Sequence, residues 1–367
     1  MKKTKKRVIV GMSGGVDSSV VAALLKKRGY DVIGITMQLL PKESQVTSAC
    51  CNLAAVNDAK RISSMLKIPH YTISLRDTFQ ENVIRNFVSQ YAEGYTPNPC
   101  VECNRHIKFT HLYTKAKELD ADYIATGHYS KITYSPSTGK HRLHAANDTH
   151  KDQSYFLYML NSEQLQNVLF PLGGFQKEEV RELAHKFNLL NADKPDSHEI
   201  CFVSQKSYKE FLETQIPESR RIPGHIIDMD GKVLGEHKGI YGFTIGQRKG
   251  LGISSADPLY VIKIDSKTHN VTVAPKGAFK VPSISLDQFS LVDSDESILN
   301  KSFDIKIRYQ MQPIRAKVKA IEGTKAYLDL SNPQEFISPG QSGVLYSRGR
   351  VIGGGIIQKE LLNEGGI

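Results

Sequence analysis

The sequence predicts an α/β protein in which a doubly wound parallel sheet is followed by a small central domain and a C-terminal β-barrel. Between Arg7 and Thr126, short apolar strands alternate with amphipathic helices, which is typical of a parallel sheet covered on both faces. After Pro217, glycine and proline become frequent, and short alternating apolar segments recur from Leu259 onward. We therefore predict three domains, with limits at 1–215, 216–277 and 278–367.

The elements follow from hydrophobic periodicity and from the residues that interrupt it. Gly94, Pro97 and Pro99 predict an irregular loop that carries two cysteines, and the polar-aromatic run 151–156 predicts a helix start. Cys50 and Cys51 open the second helix, where we expect them to be buried rather than reactive. The predicted strands are 7–10, 32–37, 71–74, 123–126, 260–264, 271–274, 316–321, 326–330, 344–346 and 351–357, and the predicted helices are 18–28, 52–66, 78–91, 108–119 and 178–188.

Composition favours a soluble, cytoplasmic protein with a polyanionic partner. The 367 residues carry a formal net charge of +10, and no apolar run of membrane-spanning length or signal-peptide core is visible. Five cysteines are too few and odd in number for a disulfide framework in a chain of this length. They are expected to act as metal ligands, redox groups, nucleophiles or core residues.

A glycine- and serine-rich loop between the first strand and the first helix predicts a phosphate site. Backbone amides at a helix N-terminus attract anions, and Gly14 and Gly15 allow a phosphate to approach the backbone closely. The loop lacks the lysine of ordinary nucleotide-triphosphate loops, and Asp17 is a candidate Mg²⁺ ligand. The alternative is a simple tight turn. The predicted phosphate-binding residues are Gly11, Met12, Ser13, Gly14, Gly15, Val16, Asp17 and Ser18.

The cysteines admit three interpretations. Cys100 and Cys103 form a C-x-x-C pair, a spacing that lowers a thiol pKa and supports thiolate chemistry. With His106 and the distant Cys201, the pair could instead form a structural Zn²⁺ site. The third interpretation is an iron-sulfur cluster on Cys100, Cys103 and Cys201 that leaves one iron open.

The late strands carry a basic stretch that suits a polyanion. Between residues 306 and 325, six basic side chains are opposed by one acid, Glu322. Such a patch on a small barrel can follow a phosphate backbone, and Tyr309 can stack on a base, although a merely solvated face is the alternative. The basic residues are Lys306, Arg308, Arg315, Lys317, Lys319 and Lys325.

Six ordered motifs resemble the bacterial tRNA-specific 2-thiouridylase family of the MnmA type. They are GMSGGVDSS, TPNPCVECNRHIKF, ATGHY, KDQSYFL, SHEICF and YGFTIGQRKGLGI. The resemblance runs through Gly340-Gln341 and 353–355, so it covers nearly the whole chain. The first motif is also similar to the pyrophosphate loop of the ATP pyrophosphatase (N-type) superfamily, which has an adenine nucleotide alpha-hydrolase-like fold. Some family members have Asp where this chain has Cys100, which favours the iron-sulfur alternative without settling it.

The resemblance implies roles for individual residues. Cys103 is the expected nucleophile and Cys201 the expected persulfide carrier, while Met37 and Gly127 would flank the adenine and ribose. A loop movement must bring the two cysteines together, and we expect the segment 200–208 to become ordered when tRNA binds. The expected contacts to the target base and tRNA are Asn98, Pro99, Cys100, His128, Lys151, Asp152, Gln153, Arg308, Tyr309 and Gln341.

The implied activity is ATP-dependent transfer of sulfur to C2 of the wobble uridine, U34, of tRNA. It implies ATP, Mg²⁺, the Lys, Glu and Gln isoacceptors of tRNA, and a persulfide sulfur-donor protein, with the iron-sulfur cluster as an alternative. An amide-forming synthetase of the same superfamily is a competing interpretation, but it needs no C-x-x-C. A non-catalytic RNA-binding protein that senses nucleotide is another.

Overall fold

A computed structural model describes residues 5–40, 53–196, 200–203 and 207–360. Cys50, Cys51 and the predicted start of the second helix at residue 52 lie outside the described residues. Within the described part, no helix is long and apolar enough to cross a membrane.

The N-terminal part is built on a five-stranded, wholly parallel sheet. Its central strand lies in a fully apolar environment, because Val8, Ile9 and Val10 are all 0% exposed. The burial of both faces explains why this strand is a continuous apolar run. In spatial order the strands are His70–Ser74, Asp31–Gln38, Arg7–Gly11, Tyr123–Ala125 and Val168–Leu169.

Helices cover both faces of this sheet. Successive side chains of a strand point to opposite faces, and accordingly Ile9 joins one apolar cluster whereas Val8 and Val10 join another. Helices Val16–Lys27, Leu53–Met65 and Lys177–Lys186 contribute to the second cluster. The first cluster is packed by Arg76–Phe79, Gln80–Arg85, Asn86–Ala92, Pro99–Glu102, Cys103–Lys108, Phe109–Glu118 and Tyr208–Gln215. Short helices at Ser154–Phe156, Ser162–Leu165, Glu218–Arg220 and Ile240–Gly242 complete the set described.

The central part is a four-stranded sheet, which mixes parallel and antiparallel pairs. The two strands before residue 240 are absent from the sequence-based prediction, because glycines and a charged face hide their alternation. In spatial order the strands are Leu259–Ile264, Val271–Pro275, Gly224–Ile227 and Val233–His237.

The C-terminal part is a six-stranded barrel, closed by pairing of its first and last strands. Alternate residues such as Ala316 and Val318, or Ala326 and Leu328, fill its interior. The hairpin Lys131–Ser135 and Lys140–His144 extends this sheet through the pair Arg350 and His144. In chain order the barrel strands are Val281–Leu291, Ser302–Lys306, Ile314–Glu322, Lys325–Gln334, Ser342–Ser347 and Arg350–Ile357. The predicted fold class is confirmed.

Candidate active site

A cavity of about 210 Å³ opens at the carboxyl edge of the parallel sheet, where such sheets bind ligands. It brings together most of the residues predicted to hold ATP, whereas Gly14, Gly15 and Val16 belong to the same loop but are not among the described lining residues. The lining is Gly11, Met12, Ser13, Asp17, Ser18, Ile35, Met37, Leu39, Lys108, Leu112, Thr126, Gly127, His128 and Gln153.

The phosphate loop is held in shape by its own serines and by one glycine. The Ser13 amide donates to Ser18 Oγ at 3.2 Å, and Ser18 Oγ donates to the Gly15 carbonyl at 3.1 Å. Gly14 has φ +72°, and a Cβ there would lie 2.3 Å from the Ala55 carbonyl oxygen. Only glycine fits this position, so the glycine predicted for phosphate access also lets the loop pack on the second helix.

Asp17 is bound by a buried lysine that sequence reasoning missed. Lys177 Nζ lies 2.6 Å from Asp17 Oδ1 and 2.8 Å from Asp196 Oδ1, and the Lys177 side chain is only 6% exposed. Tyr129 Oη also donates to Asp17, at 2.9 Å. Asp17, the candidate Mg²⁺ ligand, is therefore paired with the ammonium group of Lys177. No local motif marks Lys177, which stands in a charged helix start like many surface lysines.

The other side of the phosphate loop rests on residues 191–194. Asn191 Nδ2 donates to the Gly14 carbonyl at 3.1 Å and to Ser19 Oγ at 3.0 Å. Lys194 Nζ donates to the same carbonyl at 3.3 Å and to Asp58 at 2.9 Å. The loop is therefore braced by a segment far away in sequence, for which the sequence offers no signal.

Cys100 and Cys103 lie on a helix, so the predicted irregular loop at this point is wrong. Asn98 caps the helix by accepting from the Cys100 amide at 3.2 Å, and Pro99 occupies the first turn, where its missing N–H costs nothing. The helix Pro99–Glu102 continues without a break into the π-helical segment Cys103–Lys108 and then into Phe109–Glu118. Cys100 is exposed, whereas Cys103 is 6% exposed.

Cys201 packs against the same apolar cluster as Cys103. It is half-buried, and the next residue, Phe202, is 4% exposed with its ring 5.2 Å from that of Phe87. Residues 204–206, which belong to the segment expected to become ordered with tRNA, lie outside the described residues. The chain is thus anchored in the core at Phe202, the residue after Cys201.

The described residues form no assembled metal site for the zinc or iron-sulfur interpretations. Among residues 5–40, 53–196, 200–203 and 207–360, no group of three or more His, Cys, Asp or Glu side chains is arranged to hold a metal ion. His106, the fourth zinc candidate, lies 3.2 Å from Glu102 one turn earlier on the helix.

His128 forms part of the cavity wall and is buried. Its Nδ1 lies 2.8 Å from Thr126 Oγ1, and its ring stacks on Phe109 at 5.9 Å between centroids. Burial lowers the pKa of His128 well below 6.5, and the charge of Lys108 lowers it further. The cavity therefore presents a neutral imidazole at neutral pH.

The predicted tRNA contacts at 151–153 are partly engaged inside the protein. Lys151 Nζ lies 2.7 Å from Asp196, and Asp152 is 4% exposed, where it accepts from the Ala146 amide at 3.0 Å. Gln153 lines the cavity and accepts from the Tyr129 amide at 3.0 Å. The predicted helix start is only a short 3₁₀ turn at Ser154–Phe156, because Asp152 bonds to the Ser154 amide and shapes a local turn.

Tyr309 reaches the cysteine region from the barrel. Its ring lies 4.5 Å from that of Phe156, and burial raises its pKa, to which Asp152 and Cys100 add smaller contributions. Arg308 turns inward: Nη2 donates to Ser338 Oγ at 2.8 Å and to the Ile245 carbonyl at 3.1 Å. Arg308 thus links the barrel to the central part.

The barrel also holds the proline loop, residues 94–99, that precedes the cysteine helix. The Thr96 amide donates to the Pro339 carbonyl at 2.7 Å, and Gln341 Nε2 donates to the Thr96 carbonyl at 2.8 Å. Gly340, with φ +89°, packs directly on Thr96. Gln341, expected to contact tRNA, therefore has a structural partner here.

The basic stretch of the barrel is largely ion-paired, so the charge count along the sequence overstated it. Lys319 pairs with Asp329 at 3.1 Å and Arg315 with Asp304 at 3.1 Å. Lys325 pairs with Glu360 at 3.2 Å. The acids lie outside the counted window: strand pairing brings Asp304 and Asp329 alongside the bases, whereas Glu360 follows the last strand.

Three family models match the chain in succession. They are described as the tRNA methyl transferase HUP domain over residues 6–205, the tRNA methyl transferase PRC-barrel domain over 209–275, and the aminomethyltransferase beta-barrel domain over 281–357. Together the matches span nearly all of the chain.

Curated relatives match over the same extent. The tRNA-specific 2-thiouridylase MnmA of Heliobacterium modesticaldum is 44% identical over 360 residues, which is 97% of this chain and 94% of the relative. That of Carboxydothermus hydrogenoformans is 43% identical, covering 97% and 99%. MnmA 1 of Thermoanaerobacter sp. is 45% identical, covering 98% and 100%.

Proposed function

Because the chain belongs to the tRNA-specific 2-thiouridylase family, we propose that it replaces O2 of the wobble uridine, U34, of tRNA by sulfur. The observation that best supports this proposal is that one continuous helix connects a buried thiol, Cys103, to the wall of the cavity at Lys108. A nucleotide in the cavity and a thiol at the other end of one helical segment are what activation by ATP followed by sulfur transfer requires.

The first step is activation of the uridine. Hydroxyls of Ser13 and Ser18 and the first-turn amides of the helix Val16–Lys27 line or adjoin the cavity and suit the phosphates of ATP. Met37 and Leu39, which also line the cavity, offer apolar contact to adenine. The uridine O2 attacks the α-phosphorus, pyrophosphate leaves, and O2 becomes part of a good leaving group.

The second step is sulfur transfer. A persulfide on Cys201 attacks C2, and AMP leaves with the former O2. Cys103 then attacks the Cys201 sulfur, which releases 2-thiouridine and joins the two cysteines in a disulfide; an external thiol reduces it for the next turnover. Cys103 is buried and Cys201 is half-buried against the same apolar cluster, which supports this order because the cluster limits access of water to the two sulfurs.

The substrate must present an unstacked base. The proline loop and exposed Cys100 lie at the entrance to the cysteine helix, with Tyr309 close by from the barrel. A wobble base turned out of the anticodon can stack on such a surface. We propose the Lys, Glu and Gln tRNAs as substrates, Mg²⁺-ATP as co-substrate, and a persulfide-bearing protein as the sulfur donor.

The test is an anaerobic reaction of the purified protein with ATP, Mg²⁺, unmodified Glu tRNA and a persulfide donor. Mass spectrometry of the nucleosides distinguishes sulfur-for-oxygen exchange from the methyl transfer that the family descriptions mention. The proposal expects 2-thiouridine with the wild type and with the control Cys50→Ser, and its loss with Cys103→Ser and Cys201→Ser.

Two results would overturn parts of the proposal. Thiolation by Cys201→Ser with free sulfide, together with iron in the purified protein, would replace the persulfide by cluster chemistry. Conversion of ATP to AMP with another acceptor substrate, without 2-thiouridine from any sulfur donor, would assign the chain to the amide-forming synthetases.

A further inference from the structure

The phosphate loop lacks the lysine of ordinary nucleotide-triphosphate loops, and two lysines from distant segments bind its acid and its backbone rather than line the cavity. Lys177 Nζ is bound between Asp17 and Asp196, and Lys194 Nζ lies 2.9 Å from Asp58. A triphosphate carries several negative charges, and burial of such charges without a cation is costly. Mg²⁺ bound to ATP neutralises part of this charge, and a cationic side chain in the cavity wall would stabilise the remainder.

Lys108 lies where that cation is needed. Among the described residues that line the cavity, it is the one lysine or arginine, and it faces the same space as Ser13, Ser18 and Gly127. Its charge acts on the ring of His128, also in the wall, which supports the placement of the amine on the cavity side of the helix.

The π-helical segment places Lys108 about one turn beyond Cys103. A π-helix closes its hydrogen bonds between residues five apart, so positions i and i+5 lie about one turn from each other. In an α-helix, with 3.6 residues per turn, the same two residues would point in widely different directions. The segment Cys103–Lys108 spans this interval from end to end.

We propose that Lys108 supplies the positive charge that the phosphate loop lacks, binding the α-phosphate of ATP on the side of the helix that carries Cys103. This inference deepens the proposed function and rests on it for the identity of the reaction. The π-helical segment thereby places the reacting phosphate and the thiol at a fixed separation along one rigid element.

The role is electrostatic and involves no proton transfer from the lysine. As the uridine O2 attacks, an O–P bond forms, the bond from the α-phosphorus to the bridging oxygen breaks, and pyrophosphate leaves with that electron pair. Negative charge grows on the α-phosphate oxygens, and the ammonium group of Lys108 stabilises it while remaining protonated.

The test compares binding of ATP and of adenosine to the full chain by calorimetry, with tRNA and sulfur donor absent. Lys108→Met removes the charge and keeps a helix-forming residue of similar length, and Lys108→Arg keeps the charge. Lys115→Met is the matched control, because Lys115 lies further along the same helix and pairs with Glu118 on the surface. Tm values check that each variant folds.

We expect Lys108→Met to weaken ATP binding about tenfold or more and to change adenosine binding less than about twofold. Lys108→Arg should recover much of the ATP affinity, and Lys115→Met should match the wild type. Equal weakening for ATP and adenosine, or no weakening for either, would overturn the proposal. Absence of thiolation in the wild type would contradict the proposed function but leave this binding result intact.

Discussion

At the residue scale, the ion pair between Asp17 and Lys177 anchors the phosphate loop to the helix Lys177–Lys186. The carboxylate of Asp17 accepts from Tyr129 and pairs with Lys177, which also pairs with Asp196. Asp196 Oδ2 in turn lies 2.7 Å from Lys151 Nζ. The network joins the phosphate loop to the stretch that leads to Cys201, so its charges are held by one another rather than by solvent.

Removal of the central amine should therefore destabilise the protein. We expect Lys177→Met to lower the free energy of unfolding by about 2–3 kcal/mol, because two partly buried carboxylates lose their partner. Urea denaturation measures this, with Lys186→Met, exposed at the end of the same helix, as the control. Equal stability of the two variants would show that solvent already compensates the carboxylates.

His128 predicts a pH dependence at the residue scale. Burial depresses its folded-state pKa below the unfolded value of 6.5, so below that pH the unfolded chain binds a proton that the folded chain does not. The free energy of unfolding should therefore fall by about 1 kcal/mol between about pH 7.5 and pH 5.5 because of His128 alone. The pKa values of four other histidines are lowered in the same direction by burial: His70, His111, His144 and His237.

Chemical denaturation at the two pH values isolates the contribution of one ring. His128→Gln should reduce the loss of stability on acidification, whereas the exposed His150→Gln should leave it as in the wild type. An unchanged loss in His128→Gln would mean that this histidine is protonated in the folded state.

At the element scale, the helix that carries the cysteines is fixed by the barrel through the proline loop. Gly340 is essential to this contact, because a Cβ at its φ of +89° would lie 3.0 Å from the Thr96 backbone. The sequence predicted that the prolines shape the cysteine region but placed the cysteines in a loop. The capping role of Asn98 and the first-turn role of Pro99 are local signals that could have corrected this.

Substitution of Gly340 tests whether the barrel positions the cysteine helix. Gly340→Ala should lower the rate of thiolation about tenfold or more with ATP binding little changed, since Thr96 must move away from the barrel. Gly349→Ala is the matched control: its φ is +78°, but no described atom lies within 4 Å of the added Cβ. Both variants bear the same left-handed strain of about 1 kcal/mol. Similar rates for the two variants would show that the contact is dispensable.

At the scale of the whole molecule, the parallel sheet and the existence of a barrel followed from periodicity and turn residues. The phosphate loop was recognisable because its glycines and serines stand together at a strand–helix junction. Lys177, Asn191 and Lys108 were not recognisable, since tertiary packing alone brings the first two to the phosphate loop and the third to the cavity wall. The sequence overestimated the charge of the basic patch for the same reason, because strand pairing places acids from outside the counted window beside the bases. The predicted domain limits stay a prediction.

The most direct test of the central claim is a single turnover without reductant. Protein loaded with persulfide is mixed with ATP, Mg²⁺ and excess unmodified Glu tRNA, then analysed for nucleosides, AMP and cysteine-linked peptides. The account predicts equal amounts of 2-thiouridine and AMP, together with a peptide pair joined through Cys103 and Cys201. Formation of 2-thiouridine without that pair, or in repeated turnovers without reductant, would contradict it.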